Sequence, residues 1–324
     1  MYYNRAISNQ FAALLELGGS LRWLYDFVKN HEKLDFLIGK SSSKQWISVY
    51  YGLTRLISIR KFKDEAIFID AADAYQKLSP RLYGKKNISD NFQKELEYLI
   101  LEIENKSQFD RYYKNNKEGY YQNKLSRRYG ICGKPDDDFV IIDKEAVVGY
   151  INQIEKDRIF GNIQYRYKQL QKEVSILNPE LYGKDLEKKA IGNELDFLAL
   201  DKEGNILLIE YKHGTNTSGI YLSPLQIGLY YDIFSALPRN ELEFTVRDML
   251  AQKQKIGLIN QNWKCPETLK ELIPVLTISE YNYNSSAKEK FNEILRFIRS
   301  RTSNDFLMNI QTYNFTLSGG LSKW

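Results

Sequence analysis

The hydrophobic positions of this chain follow two different periods in its second half, and each period predicts one kind of element. Residues Ile163 to about Leu177 repeat apolar side chains at helical spacing. The segments Glu194 to Leu200 and Ile206 to Lys212 are instead short apolar runs suited to strands. The polar stretch between these runs contains Gly204, which favours a hairpin loop. The pattern therefore predicts a helix followed by a β-hairpin.

The remainder of the second half continues this mixture of helices and strands. Ser223 is a candidate N-cap and Pro224 a candidate first helical residue. The later predicted elements are a helix over 240–256, a strand from Leu272 to Ser279, a helix from a capping box at Ser286–Glu289 to about Arg299, and a strand from Phe306 to Phe315. This order predicts an α/β fold in which helices flank a mixed sheet.

The first half has its own mixture of periods and predicts a separate α+β domain. Its predicted elements are a helix from Phe11 to Val28, β-rich stretches at Trp46–Phe62 and Ala66–Ile69, a helix from Asp90 to Glu104, and a strand from Phe139 to Ile142. We expect one domain over residues 1–155, with a nucleic-acid-binding or dimerisation role, and a second over residues 156–324.

Charged residues interrupt the predicted hairpin at its open end. If Leu200 faces Ile206, then Asp196 faces Glu210 and Glu194 faces Lys212, and all of these side chains share one side of the sheet. Like charges at directly opposed positions destabilise a sheet unless something neutralises them. A divalent cation such as Mg²⁺ would neutralise them, since it binds one or two carboxylates together with water and phosphate oxygens. The alternative is a solvent-facing strand end where Glu194 and Lys212 form an ordinary ion pair.

Asp196 followed by Glu210-Tyr211-Lys212 at the end of an apolar strand resembles the PD-(D/E)xK nuclease superfamily. The likeness is confined to the second half of the chain, and Leu195 stands where the proline of the family name would be. The resemblance implies that Asp196, Glu210 and the Tyr211 carbonyl bind Mg²⁺ or Mn²⁺. It also implies that Lys212 helps to activate the attacking water.

Gln226 and Tyr230 lie four residues apart in the next predicted helix, and therefore on one face of it. They resemble the Q-x-x-x-Y motif of nucleases related to the RecB nuclease domain, in which both side chains reach the active site or the DNA. A purely structural interpretation competes for Gln226, since Ser223 with Gln226 would form a capping box.

Two further acids are candidate metal ligands. Superfamily members often supply an acid from the helix before the hairpin, and Glu173 borders the apolar stripe of that helix. A solvated surface glutamate is the competing interpretation of this residue. Glu194 is the second candidate, with a role as the ion-pair partner of Lys212 as its alternative.

Composition restricts the classes of chemistry that the chain could support. Hydrophobic residues make up 43% and charged residues 27% of the 324 residues, which is typical of a globular protein. Two cysteines and two histidines exclude a disulfide framework and a zinc cluster built on them. No apolar run approaches a membrane span, and the first residues lack the features of a signal peptide, so a cytoplasmic location is expected.

A basic and aromatic segment precedes the second half and is a candidate nucleic-acid-binding surface. Tyrosines in this segment could pack on sugars or bases, while cations follow the phosphates. Its candidate cations are Arg111, Lys114, Lys117, Lys124, Arg127 and Arg128. A solvated linker or helix surface is the alternative. The net charge of +5 is compatible with a polyanionic partner but does not require one.

The sequence thus favours a metal-dependent nuclease that hydrolyses phosphodiester bonds, most simply a DNA endonuclease using Mg²⁺ or Mn²⁺. The alternatives are an RNA-directed nuclease and a nucleic-acid-binding or assembly module that keeps the fold without turnover. A homodimer is compatible with the hypothesis, because double-strand cleavage needs two sites.

Overall fold

The structure is a computed structural model that describes residues 1–61, 66–106, 117–177, 182, 191–192, 194–301, 310–316, 318 and 320–324. The fold is α/β, with two sheets flanked by helices. The chain divides into two compact units. An antiparallel-sheet unit comprises Asn4–Asp143 and Thr245–Cys265, and a mixed-sheet unit comprises Met1–Tyr3, Lys144–Phe244 and Pro266–Trp324. The domains expected at 1–155 and 156–324 stay a prediction.

The antiparallel-sheet unit is built on five strands that pair in sequence order. They are β1 (Leu34–Lys40), β2 (Gln45–Tyr51), β3 (Thr54–Lys61), β4 (Ala66–Asp70) and β5 (Gly84–Asn87), and every neighbouring pair is antiparallel. The predicted β-rich stretch at 46–62 is two strands, because the chain turns at Gly52 with a φ of 61°. Strand β1 was not predicted from the sequence.

Over the described part of residues 4–130, five α-helices accompany this sheet. They are α1 (Asn9–Ala12), α2 (Arg22–Asn30), α3 (Asp73–Leu78), α4 (Gln93–Asn105) and α5 (Lys117–Arg128). The prediction of one continuous helix from Phe11 to Val28 is wrong, because turns separate α1 from α2 and Gly18 there has a φ of 82°. Leu24 and Val28 on α2 pack with Leu96 on α4 in the unit's hydrophobic core.

The second sheet has six strands in the order β11-β10-β9-β8-β7-β6, and all of them except β6 lie wholly in the mixed-sheet unit. Its strands are β6 (Phe139–Ala146), β7 (Leu195–Asp201), β8 (Ile206–His213), β9 (Leu272–Ser279), β10 (Gln311–Phe315) and β11 (Leu321–Lys323). Strand β9 runs parallel to β8 and β10, whereas β7 is antiparallel to β8 and β11 is antiparallel to β10. The predicted strand at Leu272–Ser279 is confirmed. Most of the stretch between Leu181 and Asn193 lies outside the described residues.

The remaining helices are α6 (Gln153–Lys156), α7 (Asn162–Leu177), α8 (Thr217–Ser235), α9 (Arg239–Ile256) and α10 (Ala287–Arg301), and a π turn at Asp157–Gly161 joins α6 to α7. Helix α8 packs on β8 and β9 and against α7 and α10. All eight residues of β8 are buried, as expected for a strand covered on both faces. Among the helices of the described ranges, none combines the length and the apolar character needed to cross a membrane.

The β7–β8 hairpin forms as the sequence predicts, and contacts within its turn stabilise the antiparallel pairing of the two strands. Asp201 accepts hydrogen bonds from the backbone and side-chain nitrogens of Asn205, at 2.7 and 2.9 Å. Gly204 has a φ of 94°, and a Cβ at this position would lie 2.1 Å from the Thr268 carbonyl oxygen. Only glycine fits a turn that is both left-handed and in such close contact with a neighbouring segment.

Helix α8 begins seven residues earlier than the sequence predicts. Asn216 is the N-cap, and its side chain accepts a hydrogen bond from the Gly219 amide at 3.0 Å. Ser223 and Pro224 lie inside the helix, so the predicted N-cap and the capping box with Gln226 are wrong. Proline has no N–H for the Ile220 carbonyl, and the Ser223 hydroxyl donates to that carbonyl instead, at 2.7 Å. The helix thereby continues through its proline.

Candidate active site

The hairpin brings Asp196 and Glu210 to the same end of the sheet. Leu198 pairs with Leu208 and Leu200 pairs with Ile206, which is the predicted register. Continuing this register places Asp196 opposite Glu210 on one face. Asp196 Oδ2 accepts a hydrogen bond from the amide of Tyr211 at 2.8 Å, so this carboxylate lies against the backbone beside Glu210.

Glu210 and Lys212 are both buried and form an ion pair through Glu210 Oε1 and Lys212 Nζ. Glu210 is 1% exposed and Lys212 is 7% exposed, so both charges are almost wholly removed from bulk water. A buried charge is costly unless it is paired, and the pair often adds less stability than apolar side chains of the same size would. Stability alone therefore does not account for these two residues.

Helix α8 places Gln226 and Tyr230 next to the acids. Tyr230 donates a hydrogen bond to the Glu194 carbonyl oxygen at 2.6 Å and accepts one from Gln226 Nε2 at 3.0 Å. Burial raises the pKa of the Tyr230 hydroxyl well above its ordinary value, and the negative charges of Glu210 and its neighbouring acids raise this pKa further. The hydroxyl therefore remains a hydrogen-bond donor at neutral pH.

Gly192 lies against the Gln226 and Tyr230 side chains of α8. A Cβ at Gly192 would lie 2.8 Å from Gln226 Nε2 and 2.9 Å from the Tyr230 hydroxyl oxygen. The segment before β7 can approach the two side chains this closely only because residue 192 has no side chain. The sequence pointed to Gln226 and Tyr230 but gave no indication of this glycine's role.

A pocket of about 260 Å³ opens beside Lys212. Gln226 lines it, together with Gln171 from α7 and residues from the first turn of α8, including Ser218 and Gly219. The N-terminus of a helix carries partial positive charge, and it lines this pocket together with the Lys212 ammonium, which is paired with Glu210. The pocket therefore suits an anionic group.

Gln171 is a pocket residue that the sequence interpretation missed. It is 3% exposed and lies between Tyr167 and Val174 on the buried face of α7. A polar side chain at an apolar stripe position was the available indication, since Gln171 follows Tyr167 by four residues. The resemblance implied an acid on this helix, and Glu173 is the acid that borders the apolar stripe.

Glu173 and Glu194, the two additional candidate ligands, lie differently from the central pair. Glu173 is exposed and its carboxylate lies 3.5 Å from Arg301 Nε. The side chain of Glu194 is exposed, and its backbone carbonyl accepts the Tyr230 hydrogen bond. The ion pair of Lys212 is with Glu210 and not across the strands with Glu194. The structure thus brings together Asp196, Glu210, Lys212, Gln226 and Tyr230.

The donor set suits a hard divalent cation that keeps several waters. Asp196 and Glu210 supply two carboxylates, and the resemblance adds the Tyr211 carbonyl, which matches the one or two carboxylates by which Mg²⁺ is commonly held. Within the described part of the chain, no group of three or more His, Cys, Asp and Glu side chains could hold a metal ion. A site here would therefore depend on two acids, with backbone, water and substrate oxygens as the remaining ligands.

The opposite face of β8 has a separate structural network. His213 Nδ1 lies 2.8 Å from Thr215 Oγ1, and His213 Nε2 lies 3.3 Å from Glu280 Oε2. The Tyr211 hydroxyl donates to Ser279 Oγ on the neighbouring strand. Adjacent strand residues point to opposite faces, so His213 lies away from Lys212. These hydrogen bonds stabilise the turn between β8 and α8.

The candidate phosphate-contacting cations belong to the antiparallel-sheet unit. Arg111 and Lys114 lie outside the described residues, and Lys117 is the first residue of α5. Lys124 Nζ lies 3.2 Å from a Glu32 carboxylate oxygen. Most of the described residues of the basic and aromatic segment therefore lie in helix α5.

The last two cations of that segment have internal partners. Arg127 is 7% exposed, and its guanidinium donates to the carbonyl oxygens of Val28, Lys29 and Leu34. Arg128 Nη1 donates to Asp137 Oδ2 at 2.6 Å. These contacts explain Arg127 as a stabilising residue of the unit, and phosphate binding by the segment stays a prediction.

Comparisons with protein-family models, with curated proteins and with solved structures found no match to this chain.

Proposed function

We propose that this protein is a metal-dependent nuclease whose active site lies at the open end of the β7–β8 hairpin. The observation that carries the proposal is the buried Glu210–Lys212 pair beside Asp196, within a mixed sheet covered by helices. An acid, a second acid that is buried, and a lysine in this order are the set that the PD-(D/E)xK resemblance requires. Their cost to folding is understandable if they perform chemistry.

Each residue has a separate task in phosphodiester hydrolysis. Asp196 and Glu210 would hold Mg²⁺ or Mn²⁺, which when bound supplies Lewis-acid polarisation of a phosphate and lowers the pKa of water. The Lys212 ammonium orients the attacking water and offsets the negative charge that develops on the phosphoryl oxygens. Lys212 and the first turn of α8 together attract the phosphate to the adjoining pocket.

Gln226 and Tyr230 fix the positions of the groups around the acids. The Tyr230 hydroxyl connects α8 to the segment before β7 by donating a hydrogen bond to the Glu194 carbonyl. Gln226 donates to the same hydroxyl and so fixes its position. Asp196 follows Glu194 by two residues, so the hydrogen bond limits the movement of the strand that carries Asp196. Gln226 also lines the Lys212 pocket, where its amide can donate to a phosphate oxygen.

We infer that the substrate is DNA. Cleavage of RNA in place of DNA is the alternative outcome of the same test. The experiment is a cleavage panel of single-stranded, duplex and branched DNA and of RNA, with Mg²⁺, with Mn²⁺ and with chelator. Wild-type protein should cut at least one DNA substrate only when metal is present. Asp196→Asn should lower the rate by at least about a hundredfold, the scale of a lost preorganised electrostatic contact.

A carboxylate elsewhere in the same hairpin provides the matched control. Glu203 is exposed in the turn between β7 and β8, so Glu203→Gln should cut at the wild-type rate. Metal-dependent cutting by Asp196→Asn at the rate of Glu203→Gln would refute the assigned site. Binding of nucleic acid without cutting under any condition would instead identify a binding module of this fold.

A further inference from the structure

We propose that a second pocket of the mixed-sheet unit binds an unpaired nucleobase next to the bond that is cut. The inference rests on the proposed function, because it names the form of nucleic acid that this site would accept. The pocket measures about 570 Å³, within the range of small-molecule sites. Its lining residues include Val148, Tyr150, Asn152, Lys156, Phe160 and Glu194.

The walls of the pocket offer aromatic rings for the flat face of a base and amides for its polar edge. Tyr150 and Phe160 are half-buried, with ring centroids 6.3 Å apart and planes tilted by 52°, so they offer flat apolar surface to a ligand. Asn152 and Gln153 add side-chain amides. Asn152 Oδ1 accepts from the Glu155 amide at 2.9 Å and Gln153 Nε2 donates to Asp157 Oδ1 at 2.6 Å, so Asn152 Nδ2 as donor and Gln153 Oε1 as acceptor are the atoms that can meet the edge of a base. A purely aliphatic ligand would leave these amides without a role in binding.

The backbone that presents Phe160 has an unusual conformation. Phe160 lies in the π turn Asp157–Gly161 between α6 and α7. Such turns are rare and occur frequently at functional sites, because they redirect side chains that a regular helix would place elsewhere. The π turn therefore provides evidence for a binding role that is independent of the pocket's volume.

One cation at the pocket can contact the phosphate of a bound strand. Lys156 lines the pocket, and its ammonium lies 6.0 Å from the centre of the Phe160 ring. A cation at this position can contact a phosphate while the ring contacts the base of the same strand. Nearby, Ile151 is 76% exposed and Ile154 is 80% exposed, so the same segment leaves further apolar surface open to the bases of a bound strand.

Glu194 connects this pocket to the proposed active site. It lines the pocket, its carbonyl is held by Tyr230, and it precedes Asp196 by two residues, which is about 7 Å along a strand. One nucleotide can span that distance between a phosphate at Asp196 and a base in the pocket. A base held inside a duplex cannot enter, so the inference predicts a preference for single strands, flaps or bulges.

The test measures binding in chelator, so that no cleavage contributes to the result. A fluorescein-labelled thymidine dodecamer and a fully abasic dodecamer with the same phosphates are titrated with the full chain by anisotropy. Wild-type protein should prefer the thymidine strand. Phe160→Ala should weaken binding of that strand about 5- to 150-fold, the effect of losing one stacked base, with little change for the abasic strand.

Three further variants separate stacking from loss of folded protein. Phe160→Leu keeps an apolar side chain and should lose the preference, whereas Phe160→Trp keeps an aromatic face and should retain it. Phe244, which is exposed in the same unit and does not line the pocket, provides the control Phe244→Ala with wild-type binding. Thermal melting of each variant confirms that the protein titrated is folded.

The two proposals fail in different ways. If the folded Phe160→Leu variant keeps the full preference for thymidine over abasic DNA, the base pocket is refuted, whatever the cleavage panel gives. If the preference disappears in this variant but wild-type protein cuts no substrate, the pocket stands and the nuclease proposal fails.

Discussion

Lys212 compensates a carboxylate that the fold has removed from water. Glu210 lies two residues away on the same strand face, and the two side chains form a buried ion pair. Breaking such a pair by removing one partner costs about 3–5 kcal/mol, because the other charge is left buried alone. Single substitutions here therefore mix effects on chemistry with effects on folding.

Gly192 offers a way to disturb the site without removing a charge. Its missing side chain allows the segment before β7 to contact Gln226 and Tyr230. The Tyr230 ring is 1% exposed and closely packed, whereas the Gln226 amide is the end of a flexible side chain. An added methyl group should therefore displace Gln226 first.

We predict that Gly192→Ala lowers the cleavage rate about tenfold or more while costing about 1–2 kcal/mol of unfolding free energy, as for modest overpacking. In a Gln226→Ala background the contact with the Gln226 amide is gone and the Tyr230 hydroxyl remains 2.9 Å from the added carbon, so adding Gly192→Ala should lower the rate less than it does in wild type. The measurement is a double-mutant cycle on rate and on denaturant unfolding. Additive effects would contradict a steric conflict between the two residues.

At the scale of elements, helix α8 depends on a local compensation at its proline. The Ile220 carbonyl has lost the N–H of residue 224 and accepts the Ser223 hydroxyl instead. Ser223 is fully buried, so water cannot replace the hydroxyl. The helix that carries Gln226 and Tyr230 therefore depends on one side-chain hydrogen bond where its backbone ladder is interrupted.

Ser223→Ala should therefore lower the unfolding free energy by about 1–3 kcal/mol, the cost of an unsatisfied buried carbonyl. Pro224→Ala restores an N–H at residue 224, so the same serine substitution should cost much less in that background. Ser175→Ala is the control, because its hydroxyl donates to Lys172 in a helix without proline, at 2.7 Å, and residue 176 still supplies a backbone donor. Equal costs for Ser223→Ala in both backgrounds would refute the compensation.

The same helix illustrates which elements the sequence could predict. The hairpin and its register were predictable because burial imposes a period of two and Gly204 marks the turn. The start of α8 was not, because Ser223-Pro224 is also a typical helix start and only the neighbouring turn reveals that Asn216 is the cap. Gln171 was missed because the sequence does not specify which polar residue on a helix face lines a pocket.

At the scale of the whole molecule, the proposed site should couple metal binding to folding. A ligand that binds only the folded state raises the unfolding free energy by RT ln(1 + [L]/Kd), or about 2.7 kcal/mol at a hundred times Kd. Asp196 and Glu210 come from different strands, so unfolding separates them along the chain and destroys their joint affinity. Metal should therefore stabilise the protein even when no substrate is present.

The last prediction separates this stabilisation from the cost of the buried ion pair. The double variant Glu210→Gln/Lys212→Met removes both charges and keeps similar side-chain volumes, so its melting temperature without metal should equal or exceed that of wild type. Wild-type protein should melt several degrees higher with saturating Mg²⁺ or Mn²⁺ than with chelator, whereas the double variant should show no difference. Glu203→Gln should respond as wild type does. Equal metal-induced shifts in the double variant and wild type would place the cation elsewhere, and a double variant that melts far below wild type would make the pair a structural necessity.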